Sequence, residues 1–281
     1  MAQEYFDGLG GNSHKYGPGQ VGPKLGILKE EATQRGGNVG LAKVMGDGRC
    51  FIYSHFVSAV TVGKLVAADA SVAHVAKVDA GIVDSGGTIK DDYGTDDSTI
   101  YLKNAALTSD DAADVFADGY LRICDAAGEG YQYKIKSNGK GAATAATTMR
   151  FDLYDNLELA LDSESSWSVQ GNTYRNLAIN NHNVDANAVG VTSRSMTAAY
   201  FGWVQSWGPA YVLVDESAGT AGIGTIAQVS DAVDGAAQPF GGGATDSEDD
   251  HLYATSPIVG FFAEAGVDTE YSGVFLQLRA C

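Results

Sequence analysis

The stretch FGWVQSWGPAYVLVD at positions 201–215 is typical of a β-strand framework. It carries two apolar segments, 201–207 and 211–214, on either side of Gly208 and Pro209. Aromatic and β-branched residues are enriched in strands because their side chains pack well on a pleated surface. Two more apolar segments follow at 258–262 and 274–278, so a strand ends close to the last residue. Together these segments predict a rigid C-terminal β-module, and none of them resembles a reaction centre.

The middle of the chain shows the period-two alternation of half-buried antiparallel strands. Apolar and polar residues alternate at 100–103, 120–124, 131–136 and 149–154, with further strand-like segments at 51–57, 64–67 and, more weakly, 72–83. A short helix or turn is the most that 109–116 allows, because Gly119 stops it early. We therefore expect a mainly-β fold built of antiparallel β-sandwich or β-barrel modules.

The first 48 residues have a different composition. They contain 12 glycines and two of the five prolines, and their apolar residues are too scattered to form a core of their own. We expect residues 1–48 to be an extended arm that gains its burial on another surface, with a reach on the order of 100 Å. A polar loop at 180–187 suggests a second boundary, which gives a β-domain at 49–180 and a C-terminal module at 181–281.

Charge is unevenly distributed along the chain. The formal net charge is −17, yet residues 1–49 hold six Lys or Arg against five acids, whereas the other 232 residues hold 12 against 30. A strongly acidic body argues against nucleic-acid binding, because the phosphate backbone would be repelled. No run of about 20 apolar residues suggests a membrane span, and the first residues do not resemble a signal peptide, so we expect synthesis in a cytoplasm.

Candidate catalytic and cofactor-binding residues are weak. None of the five histidines lies in a recognisable motif (His14, His55, His74, His182 and His251), and His55 and His74 fall in strands, where a structural role is more common. Adjacent acid pairs are expected in a chain with 35 acids. We therefore expect no enzyme activity and no cofactor. A polysaccharide depolymerase would need two carboxylates converging across a cleft.

Two acidic loops, 91–97 and 246–250, offer the oxygen ligands that a hard cation prefers. Neither matches an EF-hand loop, so solvated acids are the expected interpretation and a metal site is not predicted. Cys50, Cys124 and Cys281 are widely spaced and odd in number, which argues against a disulfide framework or a zinc site and favours isolated thiols. The aromatic set Tyr200, Phe201, Trp203 and Trp207 could be a sugar-stacking platform, but core packing is the commoner role.

Two stretches resemble known proteins. The strands at 201–207 and 211–215, with the closing unit VGFFAE at 259–264 and VFLQL at 274–278, resemble the small β-barrel or β-tulip decoration (cement) proteins of tailed-bacteriophage capsids. The segments GYLRI at 119–123 and GEGYQYKIK at 128–136 are similar to repeats in structural proteins of marine phage virions. This resemblance implies a non-enzymatic protein that forms trimers or other symmetric clusters on the outside of a head and holds neighbouring capsomers together.

The leading hypothesis is thus a decoration protein that binds the major capsid protein, associates with itself as a homotrimer and resides on the capsid exterior. The expected anchors lie in the arm and are Tyr5, Phe6, Tyr16, Pro18, Val21, Pro23 and Leu25. Deleting residues 1–45 should then abolish particle binding and leave the body folded. The alternative is a tail, fibre or head-spike module that binds host-surface glycan through Trp203 and Trp207.

Overall fold

Residues 26–34, 38–68, 79–80, 82–83, 93–103, 113–140, 148–182, 187–240 and 256–280 are described by a computed structural model. They form strands and turns, and no helix occurs among them. The strands are β1 (Glu30–Glu31), β2 (Ala42–Val44), β3 (Cys50–His55), β4 (Leu65–Ala68), β5 (Asp79–Ala80), β6 (Ile82–Val83), β7 (Thr99–Lys103), β8 (Tyr120–Asp125), β9 (Gln132–Asn138), β10 (Thr148–Leu153), β11 (Ser166–Gln170), β12 (Leu177–Ile179), β13 (Ala188–Thr192), β14 (Phe201–Leu213), β15 (Ile226–Val229), β16 (Ala237–Pro239), β17 (Ile258–Phe262) and β18 (Tyr271–Gln277). The expected mainly-β, antiparallel fold class is confirmed.

The chain divides into two compact units. Unit 1 consists of residues 1–69 and 174–281, and unit 2 consists of residues 70–173. Unit 2 is therefore inserted between β4 and β12 of unit 1. Each unit has its own sheet and its own buried core.

Strand β14 organises unit 1. It runs through Gly208 and Pro209 without a break, and it pairs with β3, β13 and β18 along its thirteen residues. A register shift between Gln205 and Trp207 and the positive φ of Gly208 (87°) bend the strand there. The buried Gln205 amide donates to the carbonyls of Trp207 (3.1 Å) and Pro209 (2.7 Å), which satisfies backbone acceptors at the bend.

The sheet of unit 1 curls so that β16, the last strand of the order β14-β18-β17-β15-β16, approaches the end of β14. Ala237 of β16 bridges to Val214, which directly follows β14. The Asp215 N–H donates to the Ala237 carbonyl at 2.9 Å. The inward residues of these strands form a buried apolar core, which includes Val212, Val259, Phe262, Val274 and Leu276. These five strands therefore curl into a small half-barrel around this core.

The sheet of unit 2 has short strands at its edges. Its sheet order is β5-β11-β8-β9-β10-β7-β6, and β5 and β6 are separated by one residue in the sequence. Each edge strand is only two residues long, and very short edge strands offer little for further strand pairing. Its core contains the fully buried Trp167, Phe151 and Ile135.

The alternation that the sequence shows in this region is confirmed by burial. The inward sets are Ile100 and Leu102, Leu121 and Ile123, Tyr133 and Ile135, and Met149, Phe151 and Leu153, and all of these are buried. Tyr131, which the alternation placed with Tyr133, is instead 39% exposed and stacks on the Tyr133 ring from outside the strand. Of the segment at 109–116, residues 113–116 lie in a turn and 109–112 lie outside the described residues.

The structure divides the chain differently from the expected boundaries at 48/49 and 180/181. Residues 26–48 are not a separate arm where they are described, because β1 pairs with β14, β2 pairs with β3, and Ile27, Val39 and Met45 are buried. The Glu30 carboxylate also accepts hydrogen bonds from Arg194 Nη2 (3.0 Å) and the Thr197 N–H (2.8 Å). A deletion of residues 1–45 would remove these core residues, so we now expect it to destabilise unit 1.

The expectation of isolated thiols is wrong for Cys50, which is disulfide-bonded, and correct for Cys124, which is free. Cys281 lies outside the described residues. Cys50 pairs with Trp207, and the adjacent Ser206 exchanges hydrogen bonds with Arg279. Tertiary pairing thus brings the last described residues close to Cys50, which wide spacing in the sequence could not reveal.

Candidate interaction surface

The described histidines have structural partners. His55 ends β3, contacts the Phe201 ring at 4.6 Å between centroids, and shares a 3.2 Å hydrogen bond between its Nδ1 and Asn176 Oδ1. Burial, and then the charge of Arg175, lower the pKa of His55 below its ordinary value. His182 Nδ1 lies 2.7 Å from Asp234 Oδ1, and hydrogen bonds from His182 lower the pKa of Asp234. His14, His74 and His251 lie outside the described residues.

Neither acidic loop yields a metal site where it is described. Asp97 accepts a hydrogen bond from the Gly94 N–H at 2.9 Å and so closes its own turn, while residues 91–92 and 246–250 lie outside the described part. Among the described residues no group of three or more His, Cys, Asp or Glu side chains could hold a metal ion.

Trp203 is a core residue. It is fully buried, and its ring makes an edge contact with Tyr53 at 5.4 Å and lies 5.5 Å from Lys43 Nζ. The core interpretation of Trp203 is therefore confirmed, and a sugar platform that includes this ring is wrong. Trp207 is half-buried on the other side of the bend in β14, where it meets the edge of Phe275.

Large apolar side chains cross the outer face of the unit 1 barrel in one row. The register pairs Pro209 with Phe275, Phe275 with Phe261, and Phe261 with Ile226, and the Phe240 N–H donates to the Ile226 carbonyl. We call these five residues the apolar row. Because side chains alternate across a strand, the core residues Val274, Leu276 and Phe262, which are the sequence neighbours of Phe275 and Phe261, point inward and the row points outward.

The apolar row is ordered but accessible. Phe261 and Phe275 stack with an interplanar angle of 8° and a centroid distance of 5.2 Å, which leaves both half-buried. Ile226 and Phe240 are 44% and 41% exposed, and Tyr211, two residues from Pro209 on the same face, is 63% exposed. The Tyr211 hydroxyl is held 3.4 Å from Glu264 at the rim. This arrangement suits contact with an apolar protein surface, since an apolar centre with a polar rim is typical of interfaces.

The sequence-predicted anchors Tyr5, Phe6, Tyr16, Pro18, Val21, Pro23 and Leu25 all lie outside the described residues. The apolar row was not predicted, although its members at 261 and 275 had been recognised as strand residues. The available signal was the presence of large apolar residues at consecutive positions of β17, which a strand buried on one face does not need.

No helix in the described part of the chain is long and apolar enough to cross a membrane. Comparison with protein-family models, with curated proteins and with solved structures found no match.

Proposed function

We propose that this chain is a structural protein of a tailed-phage virion, a decoration (cement) protein that binds the outside of the capsid shell and stabilises it. The observation that carries this proposal is the apolar row on the outer face of the half-barrel of unit 1. Contact between stacked phenylalanines and water is unfavourable, so a partner that covers this face gains binding free energy. In this proposal the partner is the major capsid protein.

The apolar area of the row determines how much further contact area capsid binding requires. The row with Tyr211 and Trp207 exposes on the order of 400 Å² of apolar surface. At about 25 cal/mol per Å² its burial is worth about 10 kcal/mol, which is comparable to the cost of association. The row alone would therefore give weak binding. We assign the remaining contact area to the segment at 1–25, with its anchors Tyr5, Phe6 and Tyr16, and to association of copies as a homotrimer.

Charge supports an outward position. The acidic composition of residues 50–281 gives neighbouring copies and neighbouring particles a repulsive surface, which favours solubility. Such a role requires neither catalysis nor a cofactor. In this proposal the chain is made in the host cytoplasm, resides on the capsid exterior, and contacts neither nucleic acid nor a membrane.

Co-sedimentation with capsid shells that lack the protein tests this function. The double variant Ile226→Ser with Phe240→Ser should reduce shell binding by at least about tenfold, because two exposed apolar side chains of the row become polar. Leu159→Ser, an exposed apolar residue of unit 2 (46% exposed), is the matched control and should bind like the unmodified chain. Equal binding of the double variant and the control would refute the role of the row.

The segment at 1–25 is tested separately. A truncation that begins at Gly26 retains β1, β2 and the buried Ile27, so it should fold and yet bind shells more weakly. Failure of every form of the protein, including the unmodified chain, to bind any shell would overturn the decoration function itself.

A further inference from the structure

The outer face of β8, β9 and β10 in unit 2 concentrates positive charge and tyrosine rings. It presents Tyr120, Arg122, Gln132, Lys134, Lys136 and Arg150 on the strands, with Tyr154 just beyond β10 and Gln170 at the end of the neighbouring β11. We call these eight residues the tyrosine–cation face. They occupy positions opposite to the buried Leu121, Ile123, Tyr133, Ile135 and Phe151.

Two tyrosines flank a lysine across this face. The register pairs Tyr120 with Lys134, and the Tyr154 N–H donates to the Lys134 carbonyl at 3.0 Å. Lys134 Nζ lies 5.5 Å from the centre of the Tyr154 ring, and the Tyr154 hydroxyl donates to the buried Asp118 at 3.1 Å, which holds the ring in place. Tyr120 and Tyr154 are 36% and 42% exposed. Tyr120 and Tyr154 lie on either side of Lys134 across the sheet. They are therefore two strand spacings, or about 10 Å, apart.

The polar groups beside the tyrosines are mostly donors. Arg122 pairs with Gln132 in the register, and its guanidinium donates to Gln132 Oε1 at 3.0 Å and to Gln170 Oε1. The amide oxygens are thereby occupied, and the groups left for a ligand are amide, guanidinium and ammonium N–H donors. Such a face favours a ligand rich in acceptors.

Charge is segregated within unit 2. Residues 70–173 contain eight Lys or Arg and seventeen Asp or Glu, a balance of −9, yet four of the eight cations lie on this face. Among the described residues the acid on this face is Asp152, whose carboxylate accepts hydrogen bonds from Arg150 (2.7 Å), Thr99 (2.7 Å) and Ser137 (2.9 Å). Other acids lie at the ends of the strands and in turns, such as Asp125, Glu129, Asp155 and Glu158.

We propose that the tyrosine–cation face binds an acidic polysaccharide of the polyuronate class. Exposed tyrosine rings stack on the apolar faces of sugar rings, and the distance between Tyr120 and Tyr154 is about that of a disaccharide unit. Lys134 and Arg122 lie beside these rings, where they would pair with the uronate carboxylates. Duplex nucleic acid is disfavoured as occupant because its charge, about one per 1.7 Å of helix axis, is strongly repelled by a protein of net charge −17.

Binding of the full chain to alginate, a polyuronate, tests the proposal, with neutral dextran and oligo-dT as comparison ligands. We expect measurable affinity for alginate, little for dextran or oligo-dT, and weaker alginate binding as salt screens the charges. Lys134→Gln should weaken alginate binding by about tenfold, the loss expected for one charged hydrogen bond. Tyr154→Ala should weaken it by roughly threefold to tenfold through loss of a stacking ring. Lys29→Gln and Tyr271→Ala in unit 1 are the matched controls and should bind alginate normally.

Near-UV circular dichroism establishes that each variant is folded. Should Tyr154→Ala misfold through loss of its bond to Asp118, Tyr120→Ala with Lys136→Gln removes a ring and a cation from the same face without touching that contact. Alginate binding no stronger than dextran binding, or unaffected by the substitutions on this face, would overturn the proposal. Equal binding of oligo-dT and alginate would also overturn it, because it would indicate general attraction of polyanions. These results are independent of shell binding, which concerns unit 1.

Discussion

Substitution of Gly260 by alanine should strongly destabilise unit 1. Gly260 lies in β17 opposite Leu276, with a φ of 154°, where β18 approaches most closely. A Cβ at this position would lie 1.9 Å from the Phe275 carbonyl oxygen and 2.9 Å from its carbon. These are backbone atoms of a paired strand, so the clash can be relieved only by moving β17 away from β18.

The magnitude follows from two terms. Overpacking against a fixed neighbour costs about 1–3 kcal/mol, and an unfavourable backbone conformation costs about 1–3 kcal/mol more. We expect Gly260→Ala to lower the free energy of unfolding of unit 1 by roughly 3–5 kcal/mol, and its melting temperature by roughly 10 °C. That is a large share of the stability of an ordinary domain.

Two glycines provide matched controls. Gly224 has a φ of 82° but no atom within 4 Å of an added Cβ, so Gly224→Ala should cost only the backbone term of about 1–2 kcal/mol. Gly222 lacks a left-handed φ, and an added Cβ would meet only Thr225 Oγ1 at 3.4 Å, so Gly222→Ala should be close to neutral. Denaturant unfolding followed by tryptophan fluorescence and calorimetry measures all three. A loss in Gly260→Ala no larger than that in Gly224→Ala would refute the argument that β18 excludes a side chain there.

Two further predictions concern unit 1. Reduction of the disulfide of Cys50 should lower the melting temperature of the unmodified chain by the equivalent of about 2–4 kcal/mol. Cys50→Ser should have a lower melting temperature from the outset, and reductant should not change it. A melting temperature of the unmodified chain that does not respond to reductant would contradict this prediction. Burial lowers the pKa of His55 in the folded chain, so the unfolded chain binds this proton more readily than the folded chain does. The free energy of unfolding should therefore fall as the pH drops through the ordinary histidine value of 6.5. In urea unfolding titrations between about pH 7 and 5, the free energy of unfolding should fall less steeply with pH for His55→Gln than for the unmodified chain. Equal slopes for the two proteins would exclude the effect.

The architecture concentrates binding capacity on faces rather than edges. In unit 1 the last strand of the curled sheet is bridged to Val214 through Ala237, and in unit 2 the edge strands β5 and β6 are only two residues long. Short or covered edges discourage strand addition, which favours binding through side chains on the outer surfaces. The two outer surfaces differ in chemistry, since one bears the apolar row and the other bears the tyrosine–cation face.

Several strands could not be predicted from local pattern. All residues of β13 are buried, and its sequence lacks the polar and apolar alternation that marked β8, β9 and β10. The alternation is present in β11 but extends over only five residues. β1 and β2 are two and three residues long within a glycine-rich region, and only their pairing with β14 and β3 makes them strands. The glycine content suggested an arm because composition carries no information about distant partners.

The sequence by itself determined the fold class, the inward residues of unit 2 and the strand character of 201–213, because period-two patterns and β-propensity act within a few residues. Tertiary structure alone decided that Trp203 is core, that Cys50 is bonded and that unit 2 is an insertion. It also decided that Phe275, Phe261, Ile226 and Phe240 form one row, since register between strands far apart in sequence is set by the packing of the whole barrel.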